Sequence, residues 1–270
     1  MSRVIAIANQ KGGVGKTTTA INLGASLAVA ERRTLVIDID PQGNATSGLG
    51  VERPDDLATI YDVLVERRPA SECIIESVHF PYLDLLPSTR DLVGAEIELV
   101  GAGERESILR QALRDVRERY DFILVDCPPS LGLLTLNTLT AADSVLIPIQ
   151  CEFYALEGLS QLLSTVRLVQ KGLNPGLEIE GVLLTMYDRR LNLSKQVADE
   201  AREYFGQKVY RTTIPRNVRL AEAPSFGQPI VHYDALSNGA QSYLALAGEV
   251  ISRNGGKAEA APVAGGGSDE

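Results

Sequence analysis

Residues 9–18, Asn-Gln-Lys-Gly-Gly-Val-Gly-Lys-Thr-Thr, crowd glycines, lysines and threonines into one short stretch, the residue types that hold a polyphosphate. Gly12, Gly13 and Gly15 let the main chain approach closely, so that successive N–H groups point at negative charge. Lys16 then reaches the β- and γ-phosphates of a nucleotide and Thr17 holds Mg2+, with Val14 and Thr18 completing the cradle. The spacing departs from the strict pattern G-x-x-x-x-G-K-S/T, because Gln10 stands where the first glycine belongs. A second lysine, Lys11, comes early instead.

A phosphate loop needs a strand before it and a helix after it. Residues 4–8 (Val-Ile-Ala-Ile-Ala) read as a short buried strand, and 17–30 as a helix rich in Ala and Leu. Further apolar runs at 34–37, 83–86, 122–125, 144–149 and 181–186, with a weaker one at 208–211, predict strands. Helical patterns fall at 59–65, 94–100, 106–118, 134–141, 156–169, 194–205, 218–223 and 238–252. Alternation of this kind predicts an α/β fold, a mostly parallel β-sheet flanked by helices on both faces.

Two carboxylates stand where such a sheet opens to a ligand. The second strand runs into Asp38-Ile-Asp40-Pro-Gln, and the fourth into Asp126-Cys-Pro-Pro-Ser. Carboxyl ends of parallel strands face the ligand crevice, so both acids fall beside the phosphate loop. The competing reading is a turn or helix cap, which Asp40 before Pro41 would suit.

On these residues the chain resembles the deviant Walker A P-loop ATPases, the group that includes ParA, MinD and the nitrogenase iron protein. The blocks 38–50, 126–130, 150–158 and 210–224 narrow the resemblance to the ParA/Soj chromosome-partition ATPases over nearly all of residues 2–253. The resemblance implies ATP and Mg2+ as ligands. It implies that Lys11 reaches the nucleotide of the other subunit of a dimer, that Asp126 anchors the Mg2+ hydration shell, and that Asp40 orients the attacking water. The catalytic set is then Lys11, Lys16 and Asp40, with Thr17 and Asp126 toward the metal. Pro215, Arg216 and Asn217 resemble the loop beside adenine. The family further implies an ATP-dependent homodimer, binding to double-stranded DNA without sequence preference, and hydrolysis stimulated by a ParB-type centromere-binding protein.

Composition agrees with a soluble chain of this kind. At 270 residues, 44% hydrophobic and 23% charged, it reads as one ATPase domain over 1–253 and a disordered Gly/Ala-rich acidic tail over 254–270. Three cysteines without C-x-x-C spacing read as reduced thiols, and His79 and His232 as isolated structural residues. No apolar run approaches a membrane span of ~20 residues, so a cytoplasmic protein is expected, and the resemblance implies that it is nucleoid-associated.

A net charge of −9 argues against global attraction to nucleic acid. Locally the balance reverses: Arg189, Arg190, Lys195, Lys208, Arg211, Arg216 and Arg219 make a candidate DNA-binding set, the last four without an acidic neighbour in the run to Leu220. Arg216 and Arg219 flank Asn217-Val218, as a helix N-terminal turn facing phosphate would require. Solubility or ion pairing is the competing account. Two other functions are weighed. A MinD-like membrane-associated positioning ATPase would need a C-terminal amphipathic helix, whereas 254–270 is small, Gly-rich and acidic. An iron–sulfur reductase would need paired cluster ligands, which Cys127 and Cys151 do not provide in motif spacing.

Overall fold

Six strands, β1 (Arg3–Ile7), β2 (Thr34–Asp38), β3 (Leu83–Leu86), β4 (Phe122–Asp126), β5 (Ser144–Gln150) and β6 (Glu178–Thr185), form one sheet in the order β3-β2-β4-β1-β5-β6. Every pairing is parallel. The computed structural model describes residues 2–52, 54, 56–152 and 159–255. Residues 153–158, which hold part of one family-like block and the start of the helix expected from 156, lie outside the described residues, as does nearly all of the tail expected over 254–270.

Strand periodicity explains the layering. In β1, Val4 and Ala6 point to one face and Ile5 and Ile7 to the other; β2 divides Leu35 and Ile37 from Val36 in the same way. Both sets are buried, so helices must cover both faces. One face carries α1 (Lys16–Val29), α2 (Asn44–Gly48) and, from the end of the domain, α9 (Val218–Glu222), α10 (Ile230–Tyr233) and α11 (Asn238–Arg253). The other carries α3 (Ile60–Leu64), α4 (Leu92–Glu98), α5 (Ile108–Ala112), α6 (Leu133–Ala141), α7 (Leu159–Gly172) and α8 (Asn192–Phe205).

Two expected elements are corrected. Residues 208–211 are not a strand: Lys208 ends a 3-10 turn, and only Val209 bridges β6, at Val182. Tyr210 and Ile214 still donate to the β6 carbonyls of Val182 and Leu184, both at 2.9 Å, but between them the amides of Arg211 and Thr212 are taken by the Glu249 carboxylate at 3.0 and 3.1 Å, which interrupts the ladder. The helix expected over 106–118 is regular only through α5. Arg114 and Val116 then donate to carbonyls three residues back, which tightens the chain into 3-10 geometry while Leu113 and Val116 stay buried.

Candidate active site

The phosphate loop leaves β1 at Ile7 and enters α1 at Lys16. Gly13 and Gly15 have φ of 73° and 89°, the left-handed region that side chains other than Gly rarely occupy. Gly15 takes the N-cap position with no side-chain cap, and the first turn of α1 holds no acidic residue. Its main-chain donors therefore remain for an anion. Asn9 braces the entry, donating to the Pro148 carbonyl at 2.7 Å and accepting from the Lys11 amide at 3.0 Å. Thr185 braces the turn by donating to the Val14 carbonyl at 2.8 Å.

Lys16 is buried, with its ammonium 3.1 Å from the Lys11 carbonyl. Burial lowers its pKa, against the opposing pull of Asp126, Cys127 and Asp40. The Lys11 side chain is half-buried and has no partner among the described residues.

Register places Asp38 directly beside Asp126 on the adjacent strands β2 and β4. Asp126 is fully buried, and neither carboxylate oxygen has a hydrogen-bond partner among the described residues. Burial first, and the Asp38 charge second, push its pKa well above the ordinary carboxylate value, with Thr17 and Lys16 pulling back. The Thr17 hydroxyl lies close without meeting hydrogen-bond geometry. Two buried, donor-free oxygens beside a threonine hydroxyl and a lysine fit a Mg2+ ion that keeps most of its waters.

Asp38 is a buried carboxylate of the site that no sequence motif singles out. It is buried and accepts from the Thr46 amide and hydroxyl, both at 2.8 Å, and from the Asp40 amide at 3.2 Å. Burial still raises its pKa to about 6. Asp40 fits the turn reading, because its Oδ1 accepts from the Gln42 amide at 2.9 Å. It also lines the cleft.

That cleft, about 390 Å³, is bounded by Gly12, Gly13, Lys16, Thr17, Asp40 and Pro129. A second hollow of about 280 Å³ adjoins it across Gly15, Thr18 and Met186, and is lined by Ile214, Pro215, Arg216, Asn217, Leu220 and Tyr243. A polar cleft joined to a more apolar slot matches a polyphosphate joined to a base. Met186 sits at the junction with φ of 50°, a strained value for its type. A cavity of about 410 Å³ at the opposite ends of the strands, around Arg3, Arg117 and Asp143, holds internal ion pairs and none of these residues.

All seven basic residues of the candidate DNA set are exposed. Residues 209–215 run beside β6, with bridges at Val182 and Tyr187, so Lys208, Arg211 and Arg216 are strung along this outer edge. Two members are ion-paired, and for Arg219 this corrects the expectation of no acidic neighbour. Arg190 forms an ion pair with Asp188 at 2.7 Å, and Arg219 reaches Glu222 at 3.0 Å and Asp234 at 3.7 Å. The N-terminal turn at Arg216 and Arg219 is also self-capped: Asn217 Oδ1 accepts from the Arg219 and Leu220 amides at 2.8 and 3.3 Å.

The histidines are not isolated. Their ring centroids lie 5.1 Å apart, and His79 Nε2 contacts the carbonyls of Leu49 and Gly227 at 3.0 and 2.8 Å, a structural role that joins two loops. Cys73, Cys127 and Cys151 are free and buried, and burial pushes their thiols up to about 11, 12 and 12. They behave as small core residues.

The family model described as an AAA domain matches residues 2–179. The chain is 59% identical over 254 residues to the chromosome partitioning protein ParA of Myxococcus xanthus, covering 94% of this chain and 89% of the relative. It is 61% identical over 250 residues to the sporulation initiation inhibitor protein Soj of Bacillus subtilis, covering 93% and 98%. A solved structure named as cobyrinic acid a,c-diamide synthase from Mycobacterium smegmatis, with bound ADP and magnesium, superposes with a TM-score of 0.81 at 38% identity, covering 95% of this chain and 97% of that one. The ParA and Soj names at these identities favour partition over the MinD-like alternative. A sheet with helices on both faces, a deviant phosphate loop and relatives of this closeness agree: the chain belongs to the ParA/Soj family of chromosome-partitioning P-loop ATPases.

Proposed function

We propose that this chain binds ATP with Mg2+ in the cleft above β1 and β4, dimerises in that state, and binds double-stranded DNA without sequence preference. Hydrolysis, stimulated by a ParB-type centromere-binding protein, then releases the DNA. The observation that carries this reading is Asp126, fully buried with two donor-free oxygens, beside Lys16 and a capless helix N-terminus.

The roles follow from position. The amides of Gly12 to Thr18 surround the phosphates, and Lys16 exchanges the Lys11 carbonyl for them. Thr17 and Asp126 hold the ion and its waters; Mg2+, when bound, neutralises charge developing on the transferred phosphoryl group. Asp40, on the cleft wall, orients the attacking water. Lys11, half-buried and unpaired among the described residues, is the residue free to reach a second subunit's nucleotide. Pro215, Arg216 and Asn217 flank the base.

DNA contact is assigned to Lys208, Arg211 and Arg216 along the edge outside β6, with Arg189 and Lys195 from the turn and helix that follow β6; all five are exposed without an ion-pair partner among the described residues. Contacts of this type read backbone charge, not base edges, which fits association with the nucleoid. No helix among the described residues is long and apolar enough to cross a membrane. Turnover measured with duplex DNA and the cognate ParB protein, or with anionic vesicles instead, tests the assignment. Acceleration by ParB and DNA supports it. ATP-dependent vesicle binding would support the membrane alternative.

A further inference from the structure

Both main-chain polar groups of Asp40 bond to one buried ring. The Asp40 amide donates to Asp38 Oδ1 at 3.2 Å, and the Asp40 carbonyl accepts from Ser88 Oγ at 2.8 Å as well as from the Gly43 amide of its own turn at 2.9 Å. Ser88 closes the ring, because its amide donates to Thr46 Oγ1 at 2.9 Å while that hydroxyl donates to Asp38 Oδ2 at 2.8 Å. Asp38, Thr46 and Ser88 are each fully buried. Neither Thr46 nor Ser88 lines the cleft or the base slot.

The ring joins three separate parts of the chain: the end of β2, the first turn of α2, and the loop that leaves β3. A buried network of this kind favours one arrangement, since in any other the Ser88 or Thr46 hydroxyl loses its partner. We infer that Thr46 and Ser88 are positioning residues for hydrolysis, fixing the main chain of Asp40 so that its carboxylate meets the attacking water in one orientation. This inference rests on the proposed role of Asp40. It asks nothing of nucleotide binding, which uses the loop at 11–18 and the base slot at 215–217.

Ser88→Ala removes the side-chain bond to the Asp40 carbonyl, leaving that from the Gly43 amide, and keeps the Ser88 amide on Thr46. Thr46→Val removes the hydroxyl at nearly constant volume, and Thr46→Ser restores it. Single-turnover hydrolysis with saturating ATP and Mg2+ should fall about tenfold to a hundredfold for Ser88→Ala and Thr46→Val, the scale of a misplaced catalytic group. ATP affinity, ADP affinity and ATP-dependent dimerisation should stay at wild-type values, and Thr46→Ser should recover most of the rate. In an Asp40→Asn background, Ser88→Ala should cause no further loss. Wild-type hydrolysis in Ser88→Ala and Thr46→Val, with Asp40→Asn inactive, would overturn the positioning role and leave Asp40 as assigned. Wild-type hydrolysis in Asp40→Asn would instead remove the water-orienting reading itself. A parallel loss of nucleotide affinity or folded protein in Ser88→Ala would make the ring merely structural and would also overturn the inference.

Discussion

Asp38 and Asp126 face each other across neighbouring strands, both fully buried, yet only Asp38 has its oxygens supplied with donors. The pair divides one crevice: Asp38 ties down the protein around Asp40, and Asp126 keeps both oxygens open, as the proposed ion site requires.

This arrangement predicts a pH dependence in nucleotide-free, Mg2+-free protein. Burial raises Asp38 from 3.8 to about 6 and raises Asp126 as well, so the folded state binds more protons than the unfolded one. Stability from this pair is therefore full below the unfolded pKa and declines as pH rises through the folded values. For a shift of this size the decline is about 3 kcal/mol, belonging to the pair and not to either acid. Urea midpoints across this range, for wild type and Asp126→Asn, measure it. The variant should lose less stability on going from acid to neutral pH, and equal slopes would refute the coupling.

Lys16→Ala should weaken ATP binding by about a hundredfold or more, since several charge-assisted hydrogen bonds go at once. Lys11→Ala should leave ADP affinity near wild type, because its own amide and carbonyl, not its side chain, build the loop. Nucleotide titration of both variants, followed by sedimentation with ATP, separates the roles. Lys11→Ala should remain monomeric.

Gly15→Ala places a methyl group at φ of 89°. Space is adequate, with Thr185 at 3.7 Å, so the cost is backbone strain, about 1–2 kcal/mol. Thermal unfolding should show that loss, and nucleotide affinity should fall with it as the loop relaxes.

Arg216→Ala and Arg219→Ala should differ. Arg216 is exposed with no ion-pair partner among the described residues, so its loss should reduce the salt slope of DNA binding by about 0.9 per contact, roughly two for a symmetric dimer. Arg219 is engaged by Glu222 and Asp234 and should matter less. Affinity over a salt series on two unrelated duplexes compares them, and equal slopes for Arg216→Ala and wild type would remove that contact.

The phosphate loop, Asp40 and Asp126 were legible because each lies within a few residues of the strand that delivers it. The ring around Asp40 was not: Ser88 meets Thr46 and Asp40 from 42 and 48 residues away, a contact no local pattern carries. The same distance hid the meeting of His79 with His232 and the reach of Arg219 to Asp234. Glu249, well downstream, took the Arg211 and Thr212 amides and so interrupted the ladder that Tyr210 begins beside β6. α2 escaped because five residues are too few to show a helical period.

The central claim, that nucleotide state governs DNA binding, is tested most directly by co-sedimentation with duplex DNA in ATP, ADP and no nucleotide, using wild type and Lys11→Ala. Wild type should sediment with DNA in ATP alone, losing affinity as salt rises, and Lys11→Ala should stay in the supernatant throughout. Equal sedimentation of wild type in all three conditions, or ATP-dependent DNA binding by Lys11→Ala, would contradict the account.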